Sequence, residues 1–186
     1  MNANNAIGII ELCSLFKGFE VQDAVLKMTN IEKLLARTIC SGKYVILVRG
    51  MVGDVEMCIQ QARETGGFAV INALMIPQVS ESVFPAIAGT TGLETSRADG
   101  LAVLETFSVA SAIKAADYAV KEADILLLRI HVAMAIGGKG LVVLTGNIDS
   151  LRSALNPAID FLKQEGMLAG STLITHPHPE VLRDLM

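Results

Sequence analysis

The residues best suited to chemistry lie in one short stretch, Arg37-Thr38-Ile39-Cys40-Ser41-Gly42-Lys43. An apolar, β-prone run from Ile31 to Ile39 leads into it, and a second run from Tyr44 to Val48 leads out. A thiol, a hydroxyl, a glycine and a lysine between two such runs are turn composition. A cysteine at a hairpin tip faces whatever lies beyond the turn, where its thiolate can ligate a soft metal. The corresponding stretch of the second half, Ala135-Ile136-Gly137-Gly138-Lys139-Gly140, has no cysteine.

Other candidates read more simply as structure. Cys13 and Cys58, at the end of an apolar strand and on a helix, are expected to be small core residues. Three cysteines in all give no even set for a disulfide framework. Iron–sulfur proteins usually place several cysteines at C-x-x-C spacing, and no such spacing occurs in this chain, so Cys40 alone leaves open a thiol that merely lines an opening. Gly137-Gly138-Lys139-Gly140 fails as a phosphate loop, because Gly140 stands where Ser or Thr is required and a strand follows. A tight glycine turn accounts for it. His176-Pro177-His178 reads as an exposed pair, His131 as a structural residue in an apolar strand, and Glu11 and Glu105 as structural equivalents. No nucleophile–base–acid set emerges, so the chain reads as a non-enzyme.

The elements that position these residues occur twice. Ile9-Ile10-Glu11-Leu12-Cys13-Ser14 aligns with Val103-Leu104-Glu105-Thr106-Phe107-Ser108, 94 residues on (11 to 105). At that spacing Asp23 matches Asp117, Lys27 matches Lys121 and Ile31 matches Ile125. Gly42-Lys43 matches Gly138-Lys139, and Gly50 matches Gly146, 96 residues on (42 to 138). The same blocks in the same order indicate a duplicated module.

Each module reads β-α-β-β-α-β, an α/β arrangement of a mixed or antiparallel sheet with helices on one face. Strands are expected at 6–12, 31–39, 44–50 and 68–76, and helices at 17–28, at 53–64 with Asp54 as cap, and at 80–84 ending at Pro85. A linker at 89–96 separates the modules, with the domains at 1–92 and 93–186. The second module repeats the pattern with strand 100–106, helix 109–121, hairpin 125–144, helix 149–164, strand 167–175 and a short terminal helix.

Composition narrows the class. Hydrophobic residues make up 52% of the chain, ample for a core, while tryptophan is absent, so Ala, Val, Ile and Leu must pack it. A net charge of −4 without clustered Lys/Arg argues against nucleic acid as a partner. Met1-Asn2-Ala3-Asn4-Asn5 lacks the basic region of a signal peptide. Apolar stretches are broken by Glu105, Arg129 and His131 before reaching the roughly 18 residues of a membrane span. A cytoplasmic, soluble protein that oligomerises through spare apolar surface is expected.

Taken together, Ala-Ile-Gly-Ile-Ile-Glu from Ala6, the Asp23-x-x-x-Lys27 helix, the Gly42-Lys43 turn and the Thr-His-Pro-His-Pro-Glu ending resemble bacterial microcompartment shell proteins. Two modules in tandem resemble the trimer-forming class, in which three chains make a pseudo-hexagonal, pseudo-hexameric tile. That resemblance implies a homotrimer that tiles with other microcompartment shell proteins in the cytoplasm. It places Lys27 and Lys121 at the tile edge, and Ser41, Gly42, Gly137 and Gly138 around a central pore. The motif Thr38-Ile39-Cys40-x-Gly42-Lys43 is similar to that of members in which this cysteine ligates an iron–sulfur cluster on the three-fold axis. Where they have proline, this chain has Ser41. The implied cofactor is one cluster per trimer, a 4Fe–4S cubane or a three-iron form, with Cys40 as the metal ligand. A redox enzyme or electron carrier is then a further partner. The alternative is a tile whose pore passes a small metabolite and holds no cluster.

Overall fold

The computed structural model describes residues 5–28, 30–92, 99–132 and 137–183. Two compact units result, Met1–Val79 and Ser80–Met186. The first contains β1 (Ala6–Leu12), α1 (Leu15–Met28), β2 (Glu32–Ile39), a 3-10 turn (Cys40–Gly42), β3 (Lys43–Gly50), α2 (Val52–Gly66) and β4 (Val70–Ile76). The second contains α3 (Val83–Ala88), β5 (Gly100–Thr106), α4 (Val109–Glu122), β6 (Leu126–Val132), β7 (Gly140–Gly146), α5 (Ile148–Gln164), β8 (Leu168–Thr175) and α6 (Pro179–Arg183).

The duplication is visible strand by strand. The sheets run β2-β3-β1-β4 and β6-β7-β5-β8, the same order with equivalent strands. Ala6 lies opposite Gly50 as Gly100 lies opposite Gly146. Every pairing is antiparallel, so the mixed-sheet option does not apply. The helices cross between strands that run the same way with one antiparallel strand between them: α1 joins β1 to β2 on either side of β3, and α2 joins β3 to β4 on either side of β1. The sequence sets the module border between Gly92 and Leu93, whereas the compact units part between Val79 and Ser80. The segment after Val79 packs in the second unit: the Ser80 N–H donates to Asp117 at 2.8 Å, and α3 lies against β6.

The core of the first unit follows from periodicity. On α1, Gly18, Val21 and Val25 fall three and four residues apart and form its buried stripe. They meet Ile10, Leu12, Tyr44, Ile46 and Val48 of the sheet, with Val55, Cys58, Ile59 and Ala62 of α2 closing the layer. Each such buried aliphatic side chain contributes about 1.5–3 kcal/mol. In the second unit Leu101, Leu128 and Val143 pack with Leu182 of α6.

Three local expectations are corrected. Met51, not Asp54, occupies the cap position of α2 and makes no side-chain cap bond, while Asp54 sits in the first turn beside the positive helix end. Side-chain caps stand elsewhere: Ser14 accepts the Lys17 N–H at 3.5 Å ahead of α1, Ser108 accepts from the Ser111 N–H, and Asn147 from the N–H groups of Asp149 and Ser150. Pro85 lies inside the first turn of α3 rather than ending it, since a missing N–H there costs no helical bond. The strand expected from Phe68 begins at Val70, because Gly67–Ala69 form a 3-10 turn. Ala135 and Ile136, residues 93–96 of the linker, and Met1 to Asn4 lie outside the described residues.

One substitution between the copies is compensated. A Cβ on Gly18 would stand 2.3 Å from Cγ of Tyr44, whose ring lies across that glycine. In the second unit the equivalent pair is Ala112 and Gly140, and a Cβ on Gly140 would stand 2.5 Å from Cβ of Ala112. The bulk has moved from strand to helix. The Tyr44 ring also packs on Phe19 with centroids 5.1 Å apart, and its hydroxyl donates to Oε1 of Gln22 at 2.6 Å.

Candidate functional site

The Cys40 turn is built by the hairpin that carries it. Ile39 is extended at φ −127°, Cys40 to Gly42 make one 3-10 turn, and Lys43 resumes the strand at φ −91°. Ile39 and Lys43 face one another as the last pair of the ladder. The base is anchored by Ile39 at 6% exposure and Tyr44 at 2%, whereas Cys40 is half-buried. Gly42 has φ +69°, the left-handed region that glycine enters without strain, and nothing lies within 4 Å of the place a Cβ would occupy. Glycine is needed there for the backbone, not for room. The side chain of Ser41 is outside the description.

In the second unit Gly137 and Gly138 take φ +66° and +81°, two left-handed residues in succession. Gly137 is exposed and Gly138 buried. Lys139, which follows, places its ammonium 2.9 Å from Oε1 of Glu105. The glycine-turn reading holds in preference to a phosphate loop, since β7 begins at Gly140.

The cysteines divide differently from expectation. Cys58 is buried on α2 as expected, and burial pushes its thiol up to about 12. Cys13 is exposed, correcting the core assignment: β1 ends at Leu12, and Cys13 follows it with its N–H bonded to the Ala69 carbonyl at 2.8 Å. A maleimide added to the native protein at neutral pH should therefore modify Cys13 and leave Cys58 intact until the chain unfolds. Mass spectrometry of the labelled peptides checks this. The same burial makes stability fall as pH rises above about 9, where the unfolded thiol ionises and the folded one does not.

Lys27 and Lys121, the two lysines expected at a tile edge, are not equivalent. Lys27 pairs with Asp23 at 2.6 Å, with 73% and 63% of the side chains exposed. Lys121 pairs with Asp117 at 2.5 Å, but the Asp117 side chain is only 4% exposed and also accepts the Ser80 N–H. The repeat aligns Asp117 with Asp23 yet gives no sign that one is buried and the other not. Lys27→Glu should leave stability within about 1 kcal/mol, as for exposed pairs. Lys121→Glu strips a buried carboxylate of its partner and should cost about 3 kcal/mol or more. Urea denaturation of both variants distinguishes them.

His176 and His178 are exposed, and Nδ1 of His178 accepts the Glu180 N–H at 3.3 Å. Among the described residues no group of three or more His, Cys, Asp or Glu side chains converges as a metal site. Neither is any helix among them long and apolar enough to cross a membrane.

Comparison with known proteins fits this doubled architecture. The family model for the BMC domain matches residues 6–79 and again residues 100–177. The chain belongs to the BMC domain family. It is 37% identical over 183 residues to the bacterial microcompartment shell protein PduT of Citrobacter freundii, covering 98% of each chain. Among solved structures it is similar to a microcompartments protein from Desulfitobacterium hafniense DCB, with TM-score 0.90 and 34% identity over 96% of this chain and 98% of that one. A fused permuted hexameric shell protein from the RMM microcompartment shares the fold, with TM-score 0.60 and 23% identity over 85% of this chain and 81% of the other. BMC proteins are structural rather than enzymatic, and this chain is a shell protein of a bacterial microcompartment. Such proteins assemble with other shell proteins in oligomeric tiles.

Proposed function

We propose that the chain forms a homotrimeric, pseudo-hexagonal shell tile whose Cys40 thiolates hold one iron–sulfur cluster at the three-fold axis. Six similar modules, two per chain, close a ring when successive modules turn by about 60°. One thiol per chain then becomes three at the axis, which answers the lack of a multi-ligand group among the described residues of one chain. The turn fits such a group: its thiol is half-buried, and the space around Gly42 is open. Three cysteine thiolates would occupy three corners of a cubane or hold a three-iron form. When bound, the cluster supplies one-electron chemistry, and the shell position suggests transfer across the wall to a redox enzyme or electron carrier.

The observation that carries this reading is the asymmetry of the two turns. Equivalent hairpins differ in that one bears a thiol and the other two left-handed glycines. In the ring, thiol-bearing and glycine turns would alternate around the opening, with Ser41, Gly42, Gly137 and Gly138 lining it. Lys27 and Lys121 would lie at the tile edges. Iron and acid-labile sulfide analysis of protein purified without oxygen tests the cluster. Cluster iron and sulfide at one cluster per trimer is expected. A colourless, iron-free trimer would favour a tile whose pore passes a small metabolite.

A further inference from the structure

The segments that follow β4 and β8 are copies of one another. Ile7 and its equivalent Leu101 lie opposite Ile76 and Ile174, which sets these segments 98 residues apart (76 to 174). Gln78 and His176 both take φ +51°, a conformation uncommon outside glycine. The Val83 N–H donates to the Ser80 carbonyl at 3.0 Å, and the Val181 N–H donates to that of His178 at 3.0 Å. Their surroundings differ. The Ser80 N–H donates to Asp117 of α4 at 2.8 Å, α3 lies against β6, and Val83 is fully buried. Among the described residues the His178 N–H has no partner. Leu182 packs on its own sheet, but Val181 is 42% exposed. The first unit shows the matching surface uncovered. Asp23, the equivalent of Asp117, is 63% exposed and among the described residues bonds Lys27 alone. β2 carries the same register shift as β6, yet it buries only Ile39, where β6 buries Leu127, Leu128, Ile130 and Val132.

We propose that the tail of one chain, from His178 to the end of α6, docks over β2 and beside Asp23 on the first unit of a second copy. The template is the segment 80–88, which already makes this contact with β6 and α4. The inference rests on the homotrimer proposed above and names the joint that closes it, with no need of the cluster. The His178 N–H would donate to Asp23 as Ser80 does to Asp117, and Val181 would become as covered as Val83. A second copy is the occupant because each chain leaves one tail and one receiving surface unmatched. Head-to-tail contact uses both, and such contacts close a ring when the rotation allows.

Sedimentation of the full-length parent and Val181→Glu, with folding followed by circular dichroism, tests the joint. A charge buried there without a partner should raise the concentration at which the trimer half-dissociates by about 100-fold or more. Carboxylate labelling of the parent trimer with a carbodiimide and an amine, read by mass spectrometry, gives a measure that needs no variant to fold. Asp23 should label as slowly as the buried Asp117. Parental association of folded Val181→Glu, or Asp23 labelled many-fold faster than Asp117 in the trimer, would overturn the joint and leave the trimer standing. A monomeric parent would overturn both.

Discussion

Cys40→Ser is expected to give a trimer that assembles as the parent does but is colourless, with essentially all cluster iron and sulfide lost. Serine keeps the size and hydrogen-bonding capacity of the half-buried side chain, so stability should stay within about 1 kcal/mol of the parent. What changes is the ligand. A soft thiolate is replaced by a hydroxyl that binds iron–sulfur units poorly, and symmetry removes all three ligands at once. Cys13→Ala and Cys58→Ala should both keep the colour: Cys58 is buried on α2, and Cys13, although Leu12 pairs with Tyr44 at the turn end of the sheet, has its N–H bonded to the Ala69 carbonyl just ahead of β4, on the side of β1 away from the hairpin. Iron analysis and the paramagnetic signal on reduction read the outcome directly. A Cys40→Ser trimer with parental iron and sulfide would leave the cluster without its proposed ligand.

The second large effect concerns the pair that differs between the two units. Gly140→Tyr should destabilise the second unit by about 3 kcal/mol or more. A side chain there meets Cβ of Ala112 at 2.5 Å, Oγ1 of Thr106 at 2.8 Å and the backbone oxygen of Ser108 at 3.1 Å, and overpacking on that scale forces backbone shifts. Adding Ala112→Gly recreates the arrangement of Gly18 and Tyr44 and should recover part of the loss. Recovery stays partial because Gln22, which accepts the Tyr44 hydroxyl, has Ala116 as its equivalent. Gly18→Ala should cost less, about 1–2 kcal/mol, since the Tyr44 clash is offset by about 1 kcal/mol of helix propensity. Denaturation of the two single variants and the double variant measures the coupling. Additive losses would show that the two positions do not compensate each other.

Much of this architecture was legible because the chain states it twice. A strand such as Ala6–Leu12 is ambiguous alone, but its match with Gly100–Thr106 gave both the element and its partner. Helical spacing on α1 and the glycine end of α2 set those boundaries within a few residues, whereas the end expected at Pro85 falls inside α3, which runs on to Ala88. The failures were local. Capping cannot be assigned from an acidic residue near a helix start when the preceding residue already holds the cap position, as Met51 does. Burial could not be read from the repeat, because Asp23 and Asp117 align while only Asp117 receives an N–H from Ser80. Cys13 looked like core because it ends an apolar run, yet it lies just past the ladder where the chain turns outward. At the Cys40 turn, composition gave the hairpin and the thiol. The ligand set proposed for it would belong to an assembly of three chains, which no single sequence spells out.

The most direct test is crystallographic. Crystals of the trimer grown without oxygen should be measured on both sides of the iron absorption edge. A cluster held by Cys40 requires one compact anomalous peak per trimer, on the three-fold axis and within bonding reach of three Cys40 sulfurs. An iron peak beside His176 and His178, or no iron peak in protein never exposed to oxygen, would contradict it.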